Sequence, residues 1–115
     1  MKRGDGQPID GVFCPYFHEA AELIGRRWTG AILRALLHDL SHFNEIKNAI
    51  PSLSPRMLSE RLKELEAEGI IRRDVIPTMP VRTEYRLTEK GRQLAPVLDA
   101  IEAWAYTWTV PAGVR

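Results

Sequence analysis

The stretch from Ser54 to Gly69 reads S-P-R-M-L-S-E-R-L-K-E-L-E-A-E-G and carries the signals of one capped, amphipathic helix. Ser54 can accept a hydrogen bond from the free amides of a helix start, and Pro55 suits the first helical position. Gly69 supplies the left-handed conformation at which many helices end. Between these caps the apolar positions recur at i, i+4 and i+7, which predicts one inward-facing stripe. Its members are Leu58, Leu62 and Leu65.

The charges of this helix are divided between its two ends. The early turns carry net charge +2, from Arg56, Arg61 and Lys63 against Glu60. The late turns carry net charge −3, from Glu64, Glu66 and Glu68. A basic, hydroxyl-bearing start is typical of a recognition helix, because the first residues of such a helix meet the base edges. A solvated surface helix can show the same pattern, so the neighbouring segments must decide.

Length and composition limit the possible classes of protein. The 115 residues suit one small domain, which can bury roughly two-thirds of its unfolded surface. A net charge of +1 excludes a uniformly basic surface, so any DNA affinity must come from local patches. The single cysteine cannot form an internal disulfide and fits a reducing compartment. We find neither a signal peptide nor a membrane-spanning run, and we expect a cytoplasmic protein without a membrane partner.

Three shorter helices are predicted before Ser54. The first begins at Cys14-Pro15 and continues to about Ile24, and the second covers about Trp28 to Leu37. A brief helix from Phe43 to Ile50 is then followed by a tight connection into Ser54. Two helices joined in this way form a helix-turn-helix pattern, although any small helical bundle can produce it. Residues 1–13 show no periodicity, and we expect a flexible N-terminal arm.

The segment of about residues 70–88 predicts a β-hairpin. Residues 70–76 are rich in β-branched side chains, and residues 81–87 alternate between uncharged and charged side chains, which indicates a half-exposed strand. A hairpin directly after a helix-turn-helix makes a winged helix. Positive charge also concentrates here, because residues 72–92 carry six basic and three acidic side chains. The predicted fold is therefore mainly α with a small hairpin, in a single winged helix-turn-helix domain of residues 14–108 that includes N- and C-terminal dimerisation helices.

The last predicted helix covers about residues 89–108. Pro96 lies inside it and should kink the helix or mark its early turns. The helix carries a long apolar stripe with two tryptophans, and aromatic anchors of this kind are common at interfaces. The proposed dimer residues are Leu98, Ile101, Trp104 and Trp108, although a C-terminal helix docked on its own core gives a similar pattern. A symmetric dimer would match a palindromic operator with half-sites about one helical turn, ~34 Å, apart.

Several short motifs, taken in order, resemble the HxlR-type transcriptional regulators, a branch of the MarR-like winged-helix proteins. The resemblance covers about residues 14–104 and rests on Cys14-Pro15, Leu23-Ile24-Gly25-Arg26-Arg27-Trp28, Phe43-Asn44-Glu45-Ile46, residues 53–62 with Leu65-Glu66, and Glu84-Tyr85-Arg86-Leu87-Thr88 with Gly91. The family's usual Gly-Gly-Lys-Trp is Gly-Arg-Arg-Trp here. Its usual wing motif Pro-Pro-Arg-Val-Glu-Tyr has lost one proline in residues 80–85. The resemblance implies a dimeric DNA-binding regulator, repressor or activator, that responds to a small molecule or an oxidant.

On this interpretation the DNA-binding residues come from the capped helix and the wing. They are Ser54, Pro55, Arg56, Ser59, Arg61, Lys63, Arg73, Arg82 and Arg86. Arg56 is the candidate for bidentate recognition of guanine in the major groove, whereas Arg61 would bind a phosphate or an intramolecular carboxylate. Arg82 is predicted to enter the minor groove. For Arg73 and Arg86 a phosphate contact and a merely solubilising role are equally compatible with the sequence.

Cys14 is a candidate sensor. It occupies the position expected for the N-cap of the first helix, where the partial positive charge favours a thiolate. The resemblance also implies this role, since several family members sense oxidants with a cysteine at this position. A small buried hydrophobic residue at a dimer seam is the alternative. Cys14, His18 and Glu22 share a helix face, but such spacing is more often incidental than a metal site, and we expect neither a metal nor a cofactor.

Two other classes of function compete with DNA binding. A winged-helix module for protein–protein interaction would use the hairpin and the tryptophan stripe without binding DNA, and the basic wing weighs against it. An enzyme is disfavoured because we find no nucleophile–base set, no glycine-rich phosphate loop and no paired inward carboxylates.

Overall fold

The computed structural model describes residues 12–109. The helices are α1 (Pro15–Ile24), α2 (Thr29–Leu37), α3 (Phe43–Ala49), α4 (Pro55–Ala67), α5 (Glu89–Arg92) and α6 (Ala95–Trp108). A hairpin of β1 (Ile71–Ile76) and β2 (Arg82–Leu87) lies between α4 and α5. The predicted N-terminal arm, residues 1–13, falls almost entirely outside the described residues. Among residues 12–109 no helix combines the length and apolar character that crossing a bilayer requires.

The core is built around α2 and α4, as their apolar patterns predict. The three leucines of the α4 stripe are buried, and α2 packs beside them. Residues from α3, the hairpin and α6 complete the cluster. Its largest fully buried aliphatic members are Ile32, Leu33, Ile46, Leu58, Leu65 and Ile71.

The helix-turn-helix consists of α3, a turn and α4. The Ser54 hydroxyl accepts a hydrogen bond from the Met57 amide at 3.1 Å, so the predicted N-cap is confirmed. Gly69 has φ +75° just beyond the C-terminal end of α4, which is the conformation its position predicts. These two ends fix where α4 begins and stops, and they orient its basic first turns.

The hairpin is antiparallel, with Ile71 opposite Leu87 and Ile76 opposite Arg82. Its outer edge is bound to the segment before α3, because the Tyr85 amide donates to the Ser41 carbonyl oxygen at 2.8 Å. Gly91 in α5 packs under the hairpin so closely that a Cβ there would lie 2.2 Å from the Ile70 carbonyl oxygen. The predicted wing is thus present and is attached to the body at its base.

The C-terminal region differs from the expected single helix over residues 89–108. Thr88 caps the short α5 by accepting a hydrogen bond from the Gly91 amide, and a separate α6 then begins at Ala95. Pro96 lies in the first turn of α6, where its missing N–H has no intrahelical partner to lose. The expectation that Pro96 marks early turns is confirmed, but the prediction of one continuous helix was wrong, because proline cannot continue the hydrogen bonding of α5.

Candidate nucleic-acid interface

The outward side of α4 presents the basic residues of its first turns. The Arg56 side chain is 89% exposed, and its nearest carboxylate, that of Glu60, lies 3.6 Å away. Lys63 is exposed two turns later, and Ser59 between them is half-buried. Ser54 and Pro55 are exposed at the start of the helix. This side can therefore offer donors to an acidic ligand without rearranging the core.

A groove of about 180 Å³ separates α4 from the hairpin. It is lined by Ser59, Leu62, Lys63, Glu66, Arg73 and Tyr85. The groove brings together predicted site residues that are ten or more positions apart in sequence. Arg73 lies 4.0 Å from Glu66 across it, so the wing and the recognition helix form one continuous surface.

Arg61 is bound internally. Its Nε donates to the Arg27 carbonyl oxygen at 2.9 Å, and its NH1 group lies 3.1 Å from a carboxylate oxygen of Glu64. Glu64 is shared with Arg26, at 3.0 Å. The sequence left open whether Arg61 binds a phosphate or an intramolecular carboxylate, and in the structure it binds the carboxylate of Glu64. We therefore treat Arg61 as a residue that positions α4 instead of a DNA contact.

The wing arginines lie on opposite faces of the hairpin. Side chains alternate along a strand, and the register places Arg82 and Arg86 on one face. Arg73 pairs with Tyr85 on the other face, towards α4. The predicted basic wing is therefore two surfaces, one beside the recognition helix and one turned away from it.

Glu84 lies between the two arginines of the second face. Its Oε1 accepts from Arg86 at 2.8 Å, and its Oε2 accepts from Arg82 at 3.1 Å. The hydrogen bond from Arg86 is the main cause that lowers the pKa of the Glu84 carboxyl, and Arg82 and His42 add to it. The side chain of Glu84 is only 14% exposed.

His42 joins this cluster to the start of α3. Its Nε2 lies 3.5 Å from Glu84, and its Nδ1 lies 3.2 Å from Glu45. One oxygen of Glu45 also accepts from the amides of Ser41 and His42, both at 3.1 Å. These bonds, that from Ser41 first, lower the pKa of the Glu45 carboxyl. Sequence reasoning missed this cluster; the Arg-x-Glu-x-Arg spacing of residues 82–86 was the only available signal.

Cys14 caps α1 as predicted, because its Sγ accepts a hydrogen bond from the Phe17 amide at 3.4 Å. The residue is partly exposed. None of the residues of α1 is buried, and large apolar side chains next to the cysteine face outward. Within residues 12–109 no group of three or more His, Cys, Asp or Glu side chains is placed to hold a metal ion, so α1 does not bring Cys14, His18 and Glu22 together as ligands.

Helix α6 carries the second exposed apolar surface. Ile101, Trp104 and Trp108 lie along one side of the helix and are 52%, 62% and 73% exposed. Leu98, which we grouped with them from the sequence, is buried in the protein's own core. It attaches α6 to the domain and is not available to a partner. The ion pairs of Arg34 with Asp99 and Glu102 hold the same part of α6 against α2.

A helix-turn-helix followed by a hairpin that flanks the second helix defines a winged-helix protein. Residues 23–112 match the family described as HxlR-like helix-turn-helix, and the chain belongs to that family.

Named relatives support the same assignment. The chain is 52% identical over 99 residues to the uncharacterised HTH-type transcriptional regulator YvaP of Bacillus subtilis. This match covers 86% of this chain and 92% of YvaP. It is 44% identical over 103 residues to the HTH-type transcriptional regulator YodB of the same organism, covering 90% of this chain and 92% of YodB.

Two solved regulators have closely similar folds. The reduced form of YodB matches with a TM-score of 0.76 at 43% identity, covering 88% of this chain and 99% of that one. The oxidised form of the redox regulator HypR matches with a TM-score of 0.76 at 35% identity, covering 85% of this chain and 100% of HypR.

Proposed function

We propose that this protein is a homodimeric transcriptional regulator that binds a specific duplex DNA sequence and responds to thiol modification at Cys14. The observation that carries the proposal is the continuous exposed surface of the α4 start, the groove and the wing. Basic side chains from two separate segments, α4 and β1, project from this surface, although the whole chain has a net charge of only +1. Such local concentration of charge suits a polyanion and gives no advantage to a neutral partner.

In this proposal α4 lies in the major groove with its N-terminal turns against the bases. Arg56 has the exposure and length to contact guanine O6 and N7 together, a contact worth ~1–3 kcal/mol of discrimination. Ser54 and Ser59 supply hydroxyl groups on the same side, and Pro55 keeps the helix start rigid. Lys63 and Arg73, on either side of the groove, bind phosphates. Phosphate contacts of this kind position the helix and carry no sequence information themselves.

The outer face of the wing contributes Arg82 and Arg86. Arg82 begins β2, next to the hairpin tip, and is the residue that can reach a neighbouring minor groove. A narrow A·T-rich groove would favour its guanidinium because negative potential is concentrated there. Arg86 lies nearer the base of the wing and is suited to a phosphate.

The dimer is proposed to form through α1 and α6. Both helices expose large apolar side chains that a soluble domain rarely leaves in contact with water over a continuous surface. The described chain extends over 57 × 43 × 23 Å, an elongated shape for its length. Pairing of the α6 stripes about a two-fold axis would cover the tryptophans and present two recognition helices to a palindromic operator.

The effector is proposed to be an oxidant or an electrophile that modifies Cys14. YodB has been solved in reduced, diamide-treated and quinone-bound forms, and HypR in reduced and oxidised forms. In this chain the thiol is partly exposed at the N-terminus of α1, one of the two helices assigned to the dimer. Modification at that point would add bulk or charge beside the partner and alter the relative orientation of the two DNA-binding surfaces.

The decisive experiment is selection of duplexes from a random pool by the purified protein, followed by a gel-shift titration. We expect enrichment of a palindromic sequence, and tighter binding to it than to the starting pool. A double variant, Arg56→Ala with Lys63→Ala, should lose that preference, whereas Lys90→Ala, in α5 and outside the proposed site, should keep it. If the folded wild-type protein binds neither an enriched duplex nor the starting pool, the alternative of a winged-helix module for protein–protein interaction is favoured.

The sensor assignment is tested on the selected duplex with and without diamide or a quinone. The wild-type protein should release the duplex, and Cys14→Ser should remain bound under the same treatment. Release of the Cys14→Ser variant to the wild-type extent would exclude the thiol as the switch while leaving the DNA-binding proposal intact.

A further inference from the structure

We infer that Glu84 determines DNA specificity by restraining the two outer wing arginines, Arg82 and Arg86, before DNA is bound. The inference rests on the proposed DNA-binding function and extends it. It assigns a role to an acidic residue that a basic DNA-binding surface would not be expected to need.

The first argument is geometric. One carboxylate accepts hydrogen bonds from both arginines, each through a different oxygen, at 2.8 Å and 3.1 Å. Arginine side chains are long and lose substantial rotamer freedom when they are ordered. A shared carboxylate removes part of that freedom in the unbound protein, so Arg82 and Arg86 are held a fixed distance apart on one face of the hairpin.

The second argument concerns charge. With Glu84 ionised, Arg82, Glu84 and Arg86 carry a net charge of +1 instead of +2. Since non-specific affinity comes from neutralised phosphates, the carboxylate weakens binding to arbitrary DNA. An operator that places a phosphate and a minor groove at the spacing of the restrained arginines is affected less, because each guanidinium keeps donors that do not bind Glu84.

The third argument concerns attachment. Glu84 is also 3.5 Å from His42 at the start of the helix-turn-helix, and the adjacent Tyr85 amide donates to Ser41. The carboxylate is therefore fixed to the body of the domain as well as to the wing. Loss of the carboxylate therefore removes a contact between the wing and the start of the helix-turn-helix, as well as the contacts with both arginines.

Asp74 provides a matched control on the same surface. It lies directly opposite Glu84 in the β1–β2 register and shares its face. Its nearest cationic partner is Arg72, at 3.1 Å, and it makes no hydrogen bond with Arg82 or Arg86. Asp74→Asn and Glu84→Gln thus add the same charge to the same hairpin, but only the second releases the two outer arginines.

The test measures binding of the wild-type protein and both variants to the selected duplex and to the random starting pool over a range of salt concentrations. We expect Glu84→Gln to bind the random pool several-fold to roughly tenfold more tightly, with a log–log salt slope steeper by about 0.9 per released arginine. Its preference for the selected duplex over the random pool should fall by a similar factor. Asp74→Asn should change that preference by less than about twofold, because Arg82 and Arg86 remain paired.

Three results would overturn the inference. Equal losses of preference in both variants would mean that total hairpin charge is responsible. Weaker binding of Glu84→Gln to both duplexes, with an unchanged salt slope and a lower melting temperature, would mean that Glu84 acts only in folding. If Glu84→Gln has the same affinity for both DNAs and the same salt slope as the wild type, Glu84 does not restrain the arginines. Failure of the proposed function itself would appear separately, as absence of binding by the wild-type protein.

Discussion

Arg61 of the recognition helix donates its Nε hydrogen to the carbonyl oxygen of Arg27, at 2.9 Å, across 34 positions of sequence. The acceptor lies in the corner between α1 and α2, where the Arg27 guanidinium also covers the Trp28 ring at 5.1 Å. Glu64 binds both Arg61 and Arg26. The inner side of α4 is therefore fixed to the end of the helix that carries Cys14, while its outer side is exposed.

This division predicts opposite effects for two neighbouring basic residues. Arg61→Ala leaves the Arg27 carbonyl oxygen without that donor, and we expect the free energy of unfolding to fall by about 1–3 kcal/mol. Lys63→Ala should change it by less than about 0.5 kcal/mol but flatten the salt slope of DNA binding by about 0.9 per protomer. Urea denaturation and salt titration measure the two quantities. If Arg61→Ala keeps the wild-type stability but flattens the salt slope of DNA binding, Arg61 is a DNA contact after all.

Arg56 should affect sequence preference more than stability. Arg56→Ala removes a side chain that is 89% exposed, so the melting temperature should stay close to that of the wild type. Discrimination at one base pair in each half-site should fall by about 1–3 kcal/mol. Arg56→Lys serves as the control, because it keeps the charge but replaces the planar donor fork of arginine with a single ammonium group. The proposed major-groove placement is wrong if both variants bind the full panel of single-base operator changes as the wild type does.

The packing of α5 under the hairpin can be tested with two glycines. A Cβ at Gly91 would meet the Ile70 carbonyl oxygen at 2.2 Å, whereas a Cβ at Gly30 in α2 would meet nothing within 4 Å. Gly91→Ala should destabilise the protein by about 1–3 kcal/mol, since the backbone must move. Gly30→Ala should be neutral or stabilising by up to about 1 kcal/mol. Thermal denaturation of both variants, compared with the wild type, checks the pair.

The exposed stripe of α6 predicts dimer dissociation on truncation. Trp104→Ala with Trp108→Ala removes two aromatic anchors, and each such anchor contributes about 2 kcal/mol or more at interfaces. Sedimentation velocity should show the double variant as a monomer at concentrations where the wild type is a dimer. Tyr106→Ala is the matched control, because Tyr106 is also half-exposed but lies on the other side of the helix. If only Tyr106→Ala dissociates, the dimer surface is on that other side.

Glu45 gives a prediction for acid stability. Amide hydrogen bonds from Ser41 and His42 lower its pKa below the ordinary glutamate value of 4.5. A lowered folded-state pKa contributes stability that is fully present above the unfolded pKa and is lost as the pH falls through the folded one. Glu45→Gln should therefore reduce stability at neutral pH and flatten the acid limb of a stability–pH curve below about pH 5. Parallel curves for wild type and variant would show that this carboxylate does not contribute.

Much of the fold could be predicted because local signals and burial agree. Ser54, Gly69 and the three leucines between them specify the ends and the inner face of α4, and no distant contact is needed to interpret them. The alternation of residues 81–87 likewise identified the second wing strand. The division of the last helix was missed, since Pro96 is compatible with both a kink and a first turn, and nothing in the local pattern shows that α5 ends at Arg92.

The site was less accessible to sequence reasoning because its decisive contacts are between distant residues. Nothing near Arg61 in the sequence indicates that the Arg27 carbonyl oxygen is its partner. In the sequence Glu84 looks like an ordinary solvent-exposed residue. Its contacts with Arg82, Arg86 and His42 are seen only in the folded hairpin. Leu98 matched the outward stripe in periodicity, yet contact with α2 places it inside.

Helix α6 is attached to the rest of the domain near its start, by Leu98 and by the ion pairs of Arg34. From Leu98 to Trp108 the helix rises about 15 Å, so a tilt of about 10° at the attachment displaces the tryptophan end by roughly 3 Å. In a symmetric pair joined at the tryptophan ends, those ends are fixed, and the same tilt instead displaces the rest of each domain. The stiffness of the ion pairs between Arg34 and α6 then sets how precisely the spacing between the two recognition helices is maintained.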